Sequence, residues 1–131
     1  KRFDDRFFAL PAGETIVKPN GIRIDKPLVV LTDAANSSAT FAFAPLVKAS
    51  CAGMLVGVAT VGNQRGINGG AFFFLELPGS GLEADVPLIG RFPLTPKPDA
   101  GLTPDIRVDL TAEDIAAGRD RVMETALAAA R

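Results

Sequence analysis

The sequence LVVLTDAANSSATFAFAPLVKASCAGMLVGVAT, residues 28–60, determines the predicted fold. It contains two short apolar runs, 28–32 and 54–60, with a longer apolar segment, 38–50, between them. Short aliphatic and β-branched runs are typical of strands buried on both faces of a parallel sheet. The middle segment is too long for an average strand and has Lys48 as its only charge, which predicts a buried helix despite an internal proline. Together these segments predict a β-α-β unit with a right-handed crossover.

The rest of the chain predicts further strands and two more helices. The runs 71–77 and 82–92 flank a PGSG turn, an arrangement typical of a β-hairpin. Pro87 marks the second run as an edge strand. Residues 1–26 form an irregular segment, with turn signals at 11–13 and 19–21 and an alternating run at 21–25 that suits an edge strand. The expected fold class is α/β: a β-α-β core with a mixed sheet and a β-hairpin. The other predicted elements are a glycine-rich loop at 61–70, strands at 71–77, 82–92 and 106–110, a helix opened by a near capping box of Thr111 and Asp114 and ended by Gly118, and a last helix from Asp120.

Composition and charge exclude several classes of function. The chain has 131 residues, enough for one domain with a hydrophobic core, and its net charge is -1 with both signs interspersed. We therefore expect no nucleic-acid partner, and no apolar run reaches the roughly 18 residues that a membrane helix needs. The N-terminal KRFDDRFF lacks the apolar region of a signal peptide. With one cysteine and no histidine, the sequence predicts no disulfide, metal or cofactor, and it cannot complete a Ser-His-Asp triad.

The small polar loop after the first strand contains the first candidate site. In open α/β sheets, ligands bind beyond the carboxyl ends of the parallel strands, and residues 33–38 lie there. Ser38 would then be at a helix N-terminus, where free N–H groups and the helix dipole favour a developing negative charge. Serine and asparagine are also preferred N-caps, so the spacing alone favours a capping role for Ser37 and Ser38 over a nucleophilic one.

Four motifs in register resemble those of the C-terminal-processing (tail-specific) serine peptidases. VLTDAANSSAT, 30–40, resembles the nucleophile segment of that family, and LVGVATVGN, 55–63, resembles its L-[IV]-G-x-x-T-x-G-K motif. FFFLELPGSGLEADVP, 72–87, resembles the strand-turn-strand that follows, and GLTPDIRVDLTAEDIAAGRDRVMETAL, 101–127, resembles the closing motif. The resemblance covers about residues 27–131.

This resemblance implies that residues 27–131 are the C-terminal part of a serine peptidase catalytic domain with a Clp-protease- and crotonase-like fold. It makes Ser38 the nucleophile and the N–H of Ala39 an oxyanion donor, with Ser37 left a capping or packing role. Asn63 takes the position of the family's base lysine. Gly62 and Gly66 lie in the glycine-rich loop, which would form the rim of a groove for a peptide or protein substrate. The family resemblance also implies export to the periplasm or cell surface.

The general base is where the sequence departs from the family. A buried lysine can deprotonate serine, but the amide of Asn63 cannot take a proton at neutral pH. Arg65 stays protonated, and Lys48 lies ten residues along the helix from Ser38, roughly 15 Å away. Three explanations stay open: the base comes from a part of a longer parent protein, the protein is an inactive relative, or Asn63 orients a water or the substrate. The family's upstream glycine-rich oxyanion turn and PDZ-like module are not found in residues 1–26, so we expect an incomplete domain that is inactive alone.

The leading hypothesis is thus serine-type endopeptidase activity of the parent protein. The alternatives are a non-catalytic peptide-binding relative and a crotonase-like acyl-thioester enzyme. An incomplete domain would leave one apolar face of the 38–50 helix uncovered, so we also expect a homo-oligomer through that surface. Further expectations concern single side chains: the phenylalanines of AFFF in the core rather than in a substrate pocket, Asp99 and Asp105 bonded to their own turns rather than orienting a base, and Cys51 buried and inert.

Overall fold

The structure, a computed structural model, describes residues 5–10, 18, 20, 21 and 23–131. Within them the chain forms five strands and three α-helices, all after residue 27. Residues 23–25 are not in a strand, and the turn signal at 11–13 lies outside the described residues. The elements are β1 Leu28–Thr32, α1 Thr40–Ala49, β2 Gly53–Gly57, β3 Ile67–Glu76, β4 Glu83–Arg91, β5 Ile106–Arg107, α2 Ala112–Ala116 and α3 Arg121–Ala129.

Three parallel strands in the order β1-β2-β5 form the central sheet. The β1 and β2 strands pair from Leu28↔Gly53 to Thr32↔Gly57, which confirms the parallel β-α-β prediction. Gly57 permits this close pairing, since a Cβ at that position would lie 1.9 Å from the Thr32 carbonyl oxygen. The β5 strand is shorter than the predicted 106–110, because only its first two residues pair with the end of β2.

The core lies on both faces of this sheet. Successive residues of a strand point to opposite faces, and Leu55 and Val56 of β2 are both fully buried. Leu55 packs with residues of α1, and Val56 packs with Ala126 of α3. The sheet is therefore covered by α1 on one face and α3 on the other, as its apolar strands require.

The α1 helix is buried on one face only, in agreement with the expected uncovered apolar face. It buries Ala44 and Val47, whereas Phe43 and Leu46 are 53% and 66% exposed. The helix starts at Thr40, two residues later than expected, and runs through Pro45. Its outer face therefore leaves an apolar surface in contact with solvent.

The end of α1 corrects the expectation for Cys51, which is exposed. The Cys51 N–H bonds the Lys48 carbonyl oxygen and the Ala52 N–H bonds the Val47 carbonyl oxygen, both at 3.1 Å. This is a Schellman motif, whose first residue beyond the cap adopts a left-handed conformation, and Cys51 has φ 52°. The same motif ends α2, with Gly118 at φ 64°. Cys51 thus occupies a position in the motif where glycine is usually found.

The β3 and β4 strands form a separate antiparallel hairpin, so the expected mixed sheet is replaced by a parallel sheet and a two-stranded ribbon. Pairing begins at Ile67↔Arg91, which brings the second half of the predicted 61–70 loop into β3. The expected core position of the AFFF phenylalanines is wrong: they are exposed, because the hairpin does not join the sheet. The exposed fractions are 47% for Phe72, 54% for Phe73 and 58% for Phe74.

Both short helices begin as the sequence predicts. Thr111 and Asp114 form the complete capping box of α2, each side chain accepting the other residue's backbone N–H. The Thr111 hydroxyl also donates to the Asp114 carboxylate at 2.6 Å, and this bond, the bond from the Thr111 N–H and the nearby Arg121 hold the pKa of the Asp114 carboxyl below its ordinary value. Asp120 caps α3 by accepting the Met123 N–H at 2.9 Å. Local capping chemistry therefore fixes both helix starts.

Candidate functional site

The loop between β1 and α1 is a turn closed by its own polar side chains. Asp33 accepts the Ala35 N–H at 2.8 Å, and Asn36 accepts the Asp33 N–H at 3.0 Å. Asparagine and aspartate favour such turns because their side chains bond the backbone nearby. The loop is thus fixed at the carboxyl end of β1, and the chain leaves it through Ser37 and Ser38.

Neither serine caps the helix. The N-cap residue of α1 is Ala39, which has no side chain for capping. Ser38 is exposed and has φ 49°, a left-handed conformation that costs a non-glycine residue roughly 1–2 kcal/mol. No described residue forms a hydrogen bond with either serine hydroxyl. Such conformations cluster at functional sites, and here the hydroxyl of Ser38 is free to react or to bind.

The backbone around Ser38 offers unpaired donors. The Thr40 N–H bonds the Ser37 carbonyl oxygen, and the Phe41 N–H bonds the Ser38 carbonyl oxygen, both at 3.0 Å. The N–H groups of Ser38 and Ala39 have no acceptor within the described part of the chain. They lie at the positive end of the α1 dipole, where an anion is stabilised.

One wall of the site is formed by two irregular segments, 60–65 and 99–102, which are held together by hydrogen bonds. The backbone N–H of Thr60 bonds the Leu102 carbonyl oxygen at 3.1 Å, and its hydroxyl accepts the Leu102 N–H at 2.9 Å. The Gln64 N–H bonds the Ala100 carbonyl oxygen at 3.1 Å. A Cβ on Gly101 would lie 1.7 Å from the Thr60 carbonyl oxygen, so only glycine fits there. These contacts hold the 60–65 segment in one position.

Asn63, which the motif resemblance aligns with a lysine, takes part in a polar cluster on this wall. Its amide nitrogen donates to Asp99, and its amide oxygen accepts the Arg65 N–H at 2.6 Å. Arg65 also forms an ion pair with Asp99 at 3.0 Å. Asp99 therefore bonds two side chains of the opposite segment, and the expectation that it bonds its own turn is wrong.

The second aspartate of the Pro-rich region has a structural contact. Asp105 accepts the Leu55 N–H at 2.8 Å and forms an ion pair with Lys48 at 2.8 Å. The bond from Lys48, then that from the Leu55 backbone, lower the pKa of this carboxyl. Lys48 also donates to the Thr103 carbonyl oxygen at 3.1 Å, so it ties the end of α1 to the chain before β5. The expectation of a bond to its own turn is wrong for Asp105 as well.

Most of the predicted site residues line a single cleft of about 650 Å³. Its lining includes Ser38, Ala39, Asn63 and Gly66. Gly62 is not part of the lining and instead approaches α1, where a Cβ would lie 3.0 Å from the Phe41 ring. The other lining residues are Phe41, Ala42, Pro45, Gln64, Ile67, Asn68, Gly69, Gly70, Arg91, Phe92, Pro93, Lys97 and Leu102.

Arg91 and Lys97 are cleft residues that the sequence analysis missed. Arg91 is the last residue of β4, and Lys97 lies in the Pro-rich link, where no periodic pattern singles it out. The glycines at 69 and 70 belong to β3, so that strand and the end of β4 supply the wall opposite α1. Only the pairing of the hairpin brings these distant segments to Ser38.

The arrangement combines an exposed hydroxyl, free N–H groups and an apolar cleft. These are parts of a site for acyl transfer or for peptide binding. In the described residues, no three His, Cys, Asp or Glu side chains come together as a metal site. None of the helices in that part of the chain is long and apolar enough to span a membrane. Comparison with models of known protein families and with curated protein sequences finds no match to this chain.

Proposed function

We propose that this chain carries the nucleophile of a serine-type endopeptidase, with Ser38 attacking the peptide carbonyl carbon. The observation that carries the proposal is the conformation of Ser38. Its backbone is left-handed, its hydroxyl is exposed and unbonded among the described residues, and it lies at the N-terminus of α1 in the cleft. A capping serine would have an extended backbone and a bonded side chain.

The oxyanion that forms in acyl transfer needs donors aimed at it from a fixed backbone. The unpaired Ala39 N–H supports this role, because the bonded turn before Thr40 leaves it free. The motif resemblance supports the same assignment and extends it to a Clp-protease- and crotonase-like fold in an exported parent protein. The central parallel sheet with helices on both faces is compatible with that fold.

The general base of this reaction lies outside the residues that the sequence motifs align. Asn63 cannot act as the base, and its bonds to Asp99 and the Arg65 backbone give it a structural role in the wall of the cleft. We propose that a part of a longer parent protein supplies the base. The same cluster favours the second candidate, a non-catalytic peptide-binding protein, since a fixed amide suits binding better than proton transfer.

Labelling with a fluorophosphonate probe tests the proposal. The free N–H groups alone should make Ser38 react faster than an ordinary surface serine, because an oxyanion site retains part of the rate enhancement after the base is removed. Ser80, which is exposed in the hairpin turn, is the internal reference. Peptide mapping by mass spectrometry should locate the label on Ser38 in the wild-type chain and in Ser37→Ala.

The matched variant Ser38→Ala should lose this label. Equal labelling of Ser38 and Ser80, or labelling of Ser37 instead, would contradict the nucleophile assignment. A peptide that binds the cleft while Ser38 stays unreactive would favour the non-catalytic alternative.

A further inference from the structure

Two cationic side chains in the cleft have no partner in the described part of the chain. Arg91 and Lys97 both line it, and neither forms an ion pair or a side-chain hydrogen bond there. Every other Lys or Arg between residues 27 and 130 has a carboxylate partner. These paired residues are Lys48, Arg65, Arg107, Arg119 and Arg121.

Among the described residues, the lining of the cleft contains no acidic residue, and Asp99, which is bonded to Asn63 on the wall, is paired with Arg65. The whole chain, by contrast, carries a net charge of -1. The free N–H groups of Ser38 and Ala39 add positive potential at one end. The lining of the cleft therefore carries a net positive charge, whereas the other Lys and Arg side chains between residues 27 and 130 are neutralised by carboxylates.

Apolar groups surround these charges. Phe92 follows Arg91 directly, and its ring lies against two glycines: a Cβ on Gly66 would come within 2.5 Å of the ring, and one on Gly90 within 2.7 Å. The ring is 72% exposed, so its other side is available to a ligand. Apolar surface next to a charge lowers the local dielectric constant and strengthens a charge interaction.

We infer that the cleft selects peptides that carry a carboxylate beside an apolar side chain, with Arg91 and Lys97 binding the carboxylate and Phe92 contacting the apolar group. This inference rests on the proposed function in that the ligand is a peptide. The carboxylate can belong to an acidic side chain or to a free C-terminus. Both offer the same planar pair of oxygens to a guanidinium group.

Peptide binding to the full 131-residue chain tests the inference. Three fluorescent octapeptides share the same apolar residues: one has an internal Glu and an amidated C-terminus, one has Gln and a free C-terminus, and one has Gln and an amide. Fluorescence anisotropy gives the Kd of each peptide. A carboxylate peptide should bind about two- to fivefold more tightly than the neutral one for each cation it contacts. Comparison of the first two peptides identifies the source of the carboxylate.

Charge-removing variants identify the cations. Arg91→Gln and Lys97→Gln should each reduce the ratio between the Kd of the neutral peptide and the Kd of the carboxylate peptides. Lys26→Gln removes an exposed charge outside the cleft and should keep the full advantage. Phe92→Ala should weaken all three peptides alike. Circular dichroism checks that each variant is folded.

Three results would overturn the inference: equal binding of the three peptides, no binding of any peptide, or an advantage that survives in the double variant Arg91→Gln with Lys97→Gln. Its failure can be told apart from failure of the proposed function. If Ser38 is labelled by the fluorophosphonate but peptide binding does not depend on the carboxylate, only the inference fails. If binding depends on the carboxylate but Ser38 is unreactive, the nucleophile assignment fails and the inference stands.

Discussion

Substituting Asn63→Lys should not create an active Ser-Lys dyad in this chain. The amide of Asn63 donates to Asp99, so an introduced lysine would have that carboxylate as its nearest partner. A general base must be neutral to accept the serine proton. The carboxylate of Asp99 stabilises the charged form of the introduced lysine and works against this requirement.

The magnitude follows from the exposure of the cluster. The Asp99 side chain is 54% exposed, and an exposed ion pair contributes about 0.2–1 kcal/mol. This raises the lysine pKa by up to about 0.7 above the ordinary value of about 10.4. Near pH 7.5, between about one introduced lysine in a thousand and one in four thousand is then neutral, whereas a working base needs a pKa near 7.

Fluorophosphonate labelling of Ser38 as a function of pH is the assay. In Asn63→Lys, the labelling rate should rise about tenfold per pH unit up to about pH 10, with no plateau near neutrality. The double variant Asn63→Lys with Asp99→Asn should shift this profile to lower pH by less than about one unit. A plateau below pH 8 in the single variant would refute the reasoning, because it would mean that Asp99 does not control the charge at this position.

Four further outcomes are expected. The wild-type chain should not hydrolyse an unstructured casein-like substrate faster than Ser38→Ala, and a clear difference in turnover would mean that the chain contains a complete site. Cys51→Gly should raise the free energy of unfolding in urea by about 1 kcal/mol by removing the cost of a left-handed non-glycine residue, whereas Cys51→Ala should not. The bond from Lys48 lowers the pKa of Asp105, so the ionised carboxylate stabilises the fold fully above its ordinary pKa of 3.8. This stabilisation is lost as the pH falls through the lower pKa of the folded state. Asp105→Asn should therefore lose less stability than the wild-type chain on acidification, as measured by a circular dichroism titration. Phe43→Glu should shift the mass measured by light scattering toward the monomer if the exposed face of α1 drives association, and an unchanged mass would exclude that face.

The central fold could be predicted because its signals are local. The runs at 28–32 and 54–60 are apolar enough to be read as buried strands, and a helix of ten residues fits between them. The helix starts at Thr111 and Asp120 follow from capping side chains within three residues. In each case, the physical cause of the structure lies within one short segment of the sequence.

The exposed positions could not be predicted because they depend on how segments pair across the chain. A run such as AFFF is apolar whether its strand joins the central sheet or stands in a separate hairpin, and the register of β3 and β4 leaves these rings in solvent. Cys51 is similar, since its apolar neighbours suggest burial while the helix end turns it outward. Arg91 reaches the cleft through this long-range pairing, and Lys97 lies in the irregular link that follows it.

Asn63 shows why a departure from a resembled motif does not by itself indicate a damaged site. Its amide donates to Asp99 and accepts the Arg65 N–H, which requires a side chain that is both a donor and an acceptor. A lysine has three donors and no acceptor, so it would leave the Arg65 N–H without this bond. The wall of the cleft is therefore built around the amide, with Arg65 and Asp99 as its matching partners. Any base that serves Ser38 has to reach it from another side of the cleft, without displacing this cluster.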